Sequence, residues 1–166
     1  MYDVRPEEPR DFTGIREVHE SAFAPSREEA ELVEALRVSG DHVPDLCLVG
    51  LLEGAVIAHI ALSRAHVDSV PVLVLAPMAV LPEYQRQGFG SALAAEALRR
   101  AAETRFPMVV VIGHPTYYPR LGFEPAGPLG ITAPFEVPAE AWMAYRLPAY
   151  RPETRGTVDF PAAFGA

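Results

Sequence analysis

The sequence predicts an α/β fold, and three observations carry that prediction. An apolar run, Val70 to Val80, has the character of a buried strand and leads through Leu81-Pro82-Glu83-Tyr84 into a stretch with helical spacing. Two further apolar runs, Leu46 to Glu53 and Ala55 to Ser63, meet at Glu53-Gly54, a pair of residue types suited to a tight antiparallel hairpin. The 166 residues, 49% of them hydrophobic, have the size and apolar content of one domain with its own core.

In chain order, Tyr2 to Arg5 reads as a first strand, followed by helices near Phe12 to Ala24 and Ser26 to Val38. The hairpin comes next, and then the strand Val70 to Val80, which contains Pro71 and Pro77. A proline removes a ladder donor, so Pro77 is expected to mark a bulge or a point where neighbouring strands part. From Phe89 the large apolar positions recur as Phe89, Leu93, Ala97 or Leu98, and Ala101, while Glu96, Arg99 and Arg100 supply a polar edge. Met108 to Ile112 reads as the next strand. Seven of the 17 prolines fall after residue 124. Residues 125–166 are therefore expected to be mostly extended, with Ala141 to Leu147 as a last strand and Gly156 to Phe164 wrapping back over the core as an arm.

Charge narrows the function classes. A net charge of -8 and a pI near 5.1 argue against a nucleic-acid partner, which favours a basic face, and are compatible with a cationic amine. Met1 to Phe12 lacks an apolar signal core, and no apolar run reaches the ~18 residues that span a bilayer. No membrane partner and a cytoplasmic location are expected. The single cysteine, Cys47, lies in the apolar run Leu46 to Leu52 and reads as a buried strand residue rather than a nucleophile.

The most informative segment is Gln85-Arg86-Gln87-Gly88-Phe89-Gly90. It joins strand to helix, and the first turns of the helix, Gly88 through Ala95, contain no carboxylate. The positive end of the helix dipole is thus left free, and the two glycines let an anionic ligand approach bare backbone N–H groups. Gln85, Arg86 and Gln87 are candidates for side-chain donors. Leu93 stands where a dinucleotide fingerprint expects glycine, and no Gly-Lys-Ser or Gly-Lys-Thr run exists for a Walker loop.

The segment resembles instead motif A of the GNAT superfamily of N-acetyltransferases: Gln or Arg, two residues, Gly, one residue, then Gly or Ala. Leu75-Ala76-Pro77-Met78-Ala79-Val80-Leu81-Pro82 is similar to that family's central strand, and His114-Pro115-Thr116-Tyr117-Tyr118-Pro119-Arg120-Leu121-Gly122-Phe123 to its Tyr-bearing short helix ending in Gly-Phe. The Tyr-Tyr-x-Arg-x-Gly-Phe form, with Glu31 to Arg37 and Gly156 to Phe164, resembles a bacterial subgroup of predicted acetyltransferases. The resemblance implies a mixed, mostly antiparallel sheet splayed at its central strand and flanked by helices. It also implies acetyl-CoA as acyl donor without a metal, held by Met78, Ala79 and Val80 and by Gln85, Arg86, Gln87, Gly88, Phe89, Gly90 and Ser91, with Tyr118 nearby. The acceptor would be a small-molecule or peptidyl amine, and a homodimer through the aromatic tail is compatible with it.

Direct attack of an amine on a thioester has three needs. An alkyl amine with a pKa near ~10 must lose a proton, for which Glu31, His59, His114 and Glu29 are candidates, His114 first because it ends a strand bordering the splay. An oxyanion is stabilised by a backbone N–H near Met78 to Val80. The departing thiolate takes a proton, for which Tyr118 is the family-matched donor; Tyr117, one residue earlier on a helix, is expected to be turned about 100° away. The alternative is an acyl-CoA-binding sensor or interaction domain that has lost transfer.

Overall fold

Val70–Val80 forms β4, the central strand of a nine-stranded sheet in the computed structural model, which describes residues 1–165. Along the main path the order is β1-β2-β3-β4-β5-β8-β6, where β1 is Tyr2–Pro6, β2 Leu48–Leu52, β3 Ala55–Val67, β5 Met108–Ile112, β6 Glu124–Pro125 and β8 Trp142–Arg146. Every pair on this path is antiparallel except β4 with β5, which is parallel. The Glu53-Gly54 hairpin forms as expected: Leu52 faces Ala55, and both turn residues have positive φ, 50° and 81°, the pattern of a two-residue primed turn.

Two irregularities in β4 shape the molecule. Ile60 of β3 faces Met78 but Leu62 faces Leu75, so two steps on β3 match three on β4, and the extra residue falls at Ala76-Pro77. That is the bulge the proline predicts. On the other side, β4 pairs with β5 only at Leu73 with Val109 and Val74 with Val110. From Leu75 onward the two strands part, while β5 keeps all five of its residues paired with β8.

Three helices cover the sheet: α1 Phe12–Ala22, α2 Glu28–Ser39 and α3 Phe89–Ala101. Leu93, Ala94, Ala97, Leu98 and Ala101 of α3 lie in one core cluster with Leu48, Ile60, Leu62 and Leu73. Ile15 of α1 and Val33 of α2 pack instead with Val49 and Leu51. Leu48 and Val49 are consecutive in a strand and point to opposite faces, so α3 lies on one face and the α1–α2 pair on the other. No helix among the described residues is long and apolar enough to cross a membrane.

The proline-rich tail is built into the sheet. Its strand β9, Gly156–Asp159, pairs with the far end of β3 at His66 and Val67 and with β7, Ile131–Thr132. Trp142 is buried, and its indole N–H donates to the Ile131 carbonyl at 2.9 Å. Phe160 and Phe164 pack on the same cluster.

Several boundaries differ from the sequence reading. The second strand starts at Leu48 because Pro44 opens a 3-10 turn over Pro44–Leu46. The third runs on past Ser63 to Val67, where β4 and β9 supply partners that no local pattern reveals. The first two helices are shorter at their junction, with α1 ending at Ala22 and α2 starting at Glu28. Cys47 is buried beside the start of β2, and burial pushes its thiol pKa up to about 12, which leaves it inert as a nucleophile at neutral pH.

Candidate functional site

The parting of β4 and β5 opens two hollows that share these strands. The first is a groove of about 960 Å3 lined by Met78, Ala79 and Val80, by Gly88, Gly90 and Ser91 at the start of α3, and by His114, Thr116, Tyr117 and Arg120 beyond β5. No carboxylate lines it, whereas Arg86, Arg120 and His114 do. The second is a cavity of about 700 Å3 lined by the preceding β4 residues Leu75, Ala76 and Pro77 with Val111 and Ile112 of β5. It has the opposite polarity: Glu29 and Asp159 line it and no basic residue does. A third hollow of about 990 Å3 between Pro125 and Trp142 includes no residue of β4 or β5.

The glycine turn is built for close approach. Gly88 has φ of 86°, a left-handed conformation that costs other residues energy, and it caps α3, whose first turn holds no acidic residue. The N–H groups of Phe89, Gly90 and Ser91 have no earlier turn of helix to bond to and form the positive end of the dipole. A Cβ added to Gly90 would lie 3.2 Å from Val80 Cγ2, closing the space between turn and strand.

The flanking residues divide, with Gln85 and Arg86 lining the groove and Gln87 and Phe89 outside it. The Gln85 amide donates to the Val80 carbonyl at 2.9 Å and the Gln87 amide to the Glu83 carbonyl at 3.2 Å, so both brace the loop. Gln87 does not line the groove, and neither does Phe89, whose ring packs against Tyr2 at 4.5 Å between centroids. The Phe89 carbonyl accepts the Tyr2 hydroxyl at 2.9 Å. Arg86 lines the groove with a left-handed backbone, φ 63°.

Tyr117 is placed otherwise than the sequence suggests. Tyr117 faces the groove, and its hydroxyl is 3.0 Å from Ser91 Oγ. It precedes the 3-10 turn Tyr118–Leu121 rather than lying on a helix with Tyr118, so the 100° rule does not apply. Tyr118 is 9% exposed, sits where a side chain on Gly113 would go, and packs edge-on against Tyr117 and Phe123. Its hydroxyl has no hydrogen-bond partner among the described residues, yet it is not sealed from solvent. Burial, with a smaller contribution from Tyr117, pushes its pKa up to about 12, so the phenol stays protonated at neutral pH.

The candidate bases are dispersed. His114 is exposed and lines the groove. Glu31 is exposed on α2 and lines neither hollow; two helical residues turn the chain by about 200°, which puts Glu29, and not Glu31, at the second cavity. His59 is fully buried, directly across from Ala79 in the sheet. Its Nε2 lies 2.6 Å from Glu7 Oε1, and its Nδ1 lies 2.9 Å from Nε2 of His19, also fully buried. Arg37 Nε donates to the other Glu7 oxygen at 2.9 Å. This network joins β1's exit, β3, α1 and α2 beneath the groove, and α1 continues to Phe23, which stacks on His19 and lines the groove. Sequence pattern offered no signal for Glu7 or His19, because they meet His59 from distant elements. Arg120 did lie inside the quoted Tyr-Tyr-x-Arg run. Among the described residues no group of three or more His, Cys, Asp or Glu side chains is arranged to hold a metal ion.

Known proteins resemble this chain in sequence and fold. Residues 10–123 fit the model of the Acetyltransferase (GNAT) family. The uncharacterized N-acetyltransferase YjhQ of Escherichia coli is 41% identical over 147 residues, covering 84% of this chain and 81% of YjhQ. YhbS of the same species is 32% identical over 150 residues, covering 87% and 86%. The crystal structure of E. coli YhbS in complex with CoA superposes with a TM-score of 0.90 at 31% identity, over 98% of this chain and 91% of that one. A GNAT family acetyltransferase from Brucella melitensis in complex with acetyl-CoA superposes with a TM-score of 0.80 at 31% identity, over 99% of both. A family model spanning most of the sequence, and relatives above 30% identity over most of their length, establish that this chain belongs to the GNAT family of acetyltransferases.

Proposed function

We propose that this protein transfers an acetyl group from acetyl-CoA to a primary amine of a small molecule or peptide by direct attack. The observation that carries the reading is the division of charge at the break in the sheet. A chain of net charge -8 keeps every carboxylate out of one hollow and every basic group out of the other, and the two meet along consecutive residues of β4. A polyanionic donor suits the first and a cationic acceptor the second. YhbS holds CoA and the Brucella protein acetyl-CoA in their crystal structures.

The groove fits coenzyme A on its own chemistry. The free N–H groups of Phe89, Gly90 and Ser91, with Arg86 and Arg120, bind the pyrophosphate, and Tyr117 together with Ser91 holds the adjacent wall. The Met78–Val80 segment has no strand partner on the β5 side, and its edge there, apart from the Val80 carbonyl held by Gln85, is open to the pantetheine amides. His114 receives the ammonium proton, directly or through one water. As the amine nitrogen bonds to the thioester carbon, a main-chain N–H of β4 stabilises the oxyanion. The C–S bond then breaks, Tyr118 donates its phenolic proton to the thiolate, and the proton still on the new amide nitrogen passes through water to the phenolate.

An acyl-CoA sensor would need the groove but has no use for an acidic cavity beside the thioester. A thermal-shift titration with acetyl-CoA, desulfo-coenzyme A and ATP, followed by thiol release in the presence of amines, separates the readings. Stabilisation by both CoA species but not ATP, with amine-dependent thiol release, is expected. Stabilisation without any amine-dependent release would leave the sensor. The sequence contains no lysine, so side-chain self-acetylation contributes no background.

A further inference from the structure

We infer that the amine acceptor carries an aromatic or branched aliphatic body, taken up by the 700 Å3 cavity while Glu29 and Asp159 hold its ammonium group. The inference rests on the transferase reading above and specifies its acceptor.

Position is the first argument. The cavity includes Leu75, Ala76 and Pro77, and the donor groove begins with the next residue, Met78. The bulge at Ala76-Pro77 therefore lies at the boundary, where an acyl group entering along β4 meets a nucleophile arriving from the opposite side.

The second argument is the apolar wall. Water-facing large hydrophobic residues are few among the described residues, and two of the four, Ile112 at 43% exposure and Phe135 at 51%, line this cavity, with Phe135 also bordering the third hollow. Leu32, Phe160 and Phe164 add to them. The three phenylalanines form a continuous strip, with ring centroids 5.6 Å apart for Phe135 and Phe160 and 5.4 Å for Phe160 and Phe164. Exposed apolar surface concentrated in a concave site next to the chemistry marks a ligand surface rather than incidental exposure. The volume is that of a small-molecule site.

Charge is the third. Glu29 Oε1 accepts a hydrogen bond from Ser26 Oγ at 3.1 Å, which orients the carboxylate at the start of α2. Neither Glu29 nor Asp159 is paired with an arginine or histidine among the described residues, whereas Glu7, Glu34 and Glu96 all are. An ammonium group in the cavity is attracted by these carboxylates, and an acidic amine is repelled by them. The cavity thus rejects substrates with a carboxylate near the amine and gains little from small hydrophilic amines.

The test measures thiol release from acetyl-CoA with 2-phenylethylamine, ethanolamine and glutamate, and separately the binding of acetyl-CoA by calorimetry. The kcat/KM for 2-phenylethylamine should exceed that for ethanolamine by about 30-fold, the discrimination expected from burying a ring. Glutamate should be a poorer substrate still. Glu29→Gln should raise KM for 2-phenylethylamine by about 10-fold with kcat little changed, since a charge-assisted contact is lost. Phe135→Ala, at a half-exposed position where folding is not at stake, should raise KM for 2-phenylethylamine and leave that for ethanolamine unchanged. Both variants should bind acetyl-CoA as the unaltered protein does. A peptide with N-terminal phenylalanine presents the same ammonium and ring on a longer chain, and its rate relative to 2-phenylethylamine tells a peptidyl from a small-molecule source. Acetyl-CoA binding with equal or better turnover of ethanolamine or glutamate, or with no turnover of either aromatic amine, overturns the acceptor class while sparing the donor groove. Failure to bind acetyl-CoA overturns the transferase reading and this inference with it.

Discussion

His19 and His59 share a hydrogen bond of 2.9 Å between Nε2 of the first and Nδ1 of the second, in an environment that excludes solvent from both rings. Burial pulls the Glu7 carboxyl pKa upward, but hydrogen bonds from His59 and Arg37 outweigh it and leave the group ionised. His59 must then donate through Nε2, accept at Nδ1, and fix His19 in the tautomer with hydrogen on Nε2. Nδ1 of His19 is left as a buried acceptor without a partner.

Stability should therefore fall in mild acid. Burial, and then the neighbouring His59, lower the His19 pKa from 6.5 to about 3, and burial lowers that of His59 as well despite Glu7. Between those values the unfolded chain binds protons that the folded chain refuses. The His19 contribution is fully present above pH 6.5 and is lost as pH falls below it, at about 1.4 kcal/mol per pH unit, and His59 acts in the same direction. Urea unfolding at pH 7.5, 6 and 5 measures the slope. His19→Leu should lower stability at pH 7.5 by about 1–3 kcal/mol, by leaving His59 Nδ1 unpaired, and should flatten the acid slope. An unchanged slope would mean the imidazoles already carry a proton in the folded state.

Phenylalanine at the two tyrosines should separate binding from turnover. Tyr118→Phe removes the proposed acid and should cut kcat by about 100-fold or more with acetyl-CoA affinity unaltered. Tyr117→Phe removes the hydroxyl paired with Ser91 and should weaken acetyl-CoA binding by about 5-fold, the worth of one hydrogen bond, with kcat maintained. Single-turnover rates and calorimetry distinguish the two, and the reverse pattern would make Tyr117 the acid.

Gly113→Ala should act on the acid without touching the ligand. The Tyr118 ring occupies the space a side chain at 113 needs, so alanine must push the ring aside. The expected result is a loss of about 1–3 kcal/mol of stability, as for overpacking elsewhere, and a fall in kcat resembling that of Tyr118→Phe. A wild-type kcat would show that the ring's placement does not matter to turnover.

Gly90→Val should abolish stabilisation by acetyl-CoA while changing the melting temperature of the free protein little, because the added atoms meet the tip of Val80 rather than backbone. Gly88→Ala should behave differently. At φ of 86° it forces alanine into the left-handed region, at a cost of about 1–2 kcal/mol in the free protein. Thermal melts with and without acetyl-CoA read both effects.

Local patterns carried much of this protein. The length and apolarity of Val70 to Val80, the Glu53-Gly54 turn, the helical spacing after Phe89 and the proline inside a strand each report on neighbours within a few residues. The Gly88-x-Gly90 turn was legible for the same reason, since strand, turn and helix N-terminus are contiguous. What a side chain does there was less so: Gln85 and Gln87 are donor types beside an anion site, yet their donors are engaged by backbone carbonyls five and four residues earlier.

By itself, the sequence determined the α/β class, the bulged central strand and the carboxylate-free start of α3, because periodicity, turn chemistry and dipole are properties of adjacent residues. Only the tertiary structure decided which tyrosine faces the groove, that Glu29 rather than Glu31 reaches a cavity, and that Glu7, His59 and His19 form one buried chain. Those outcomes depend on where helices and strands distant in sequence come to rest on the sheet, and burial and charge pairing are set by that packing.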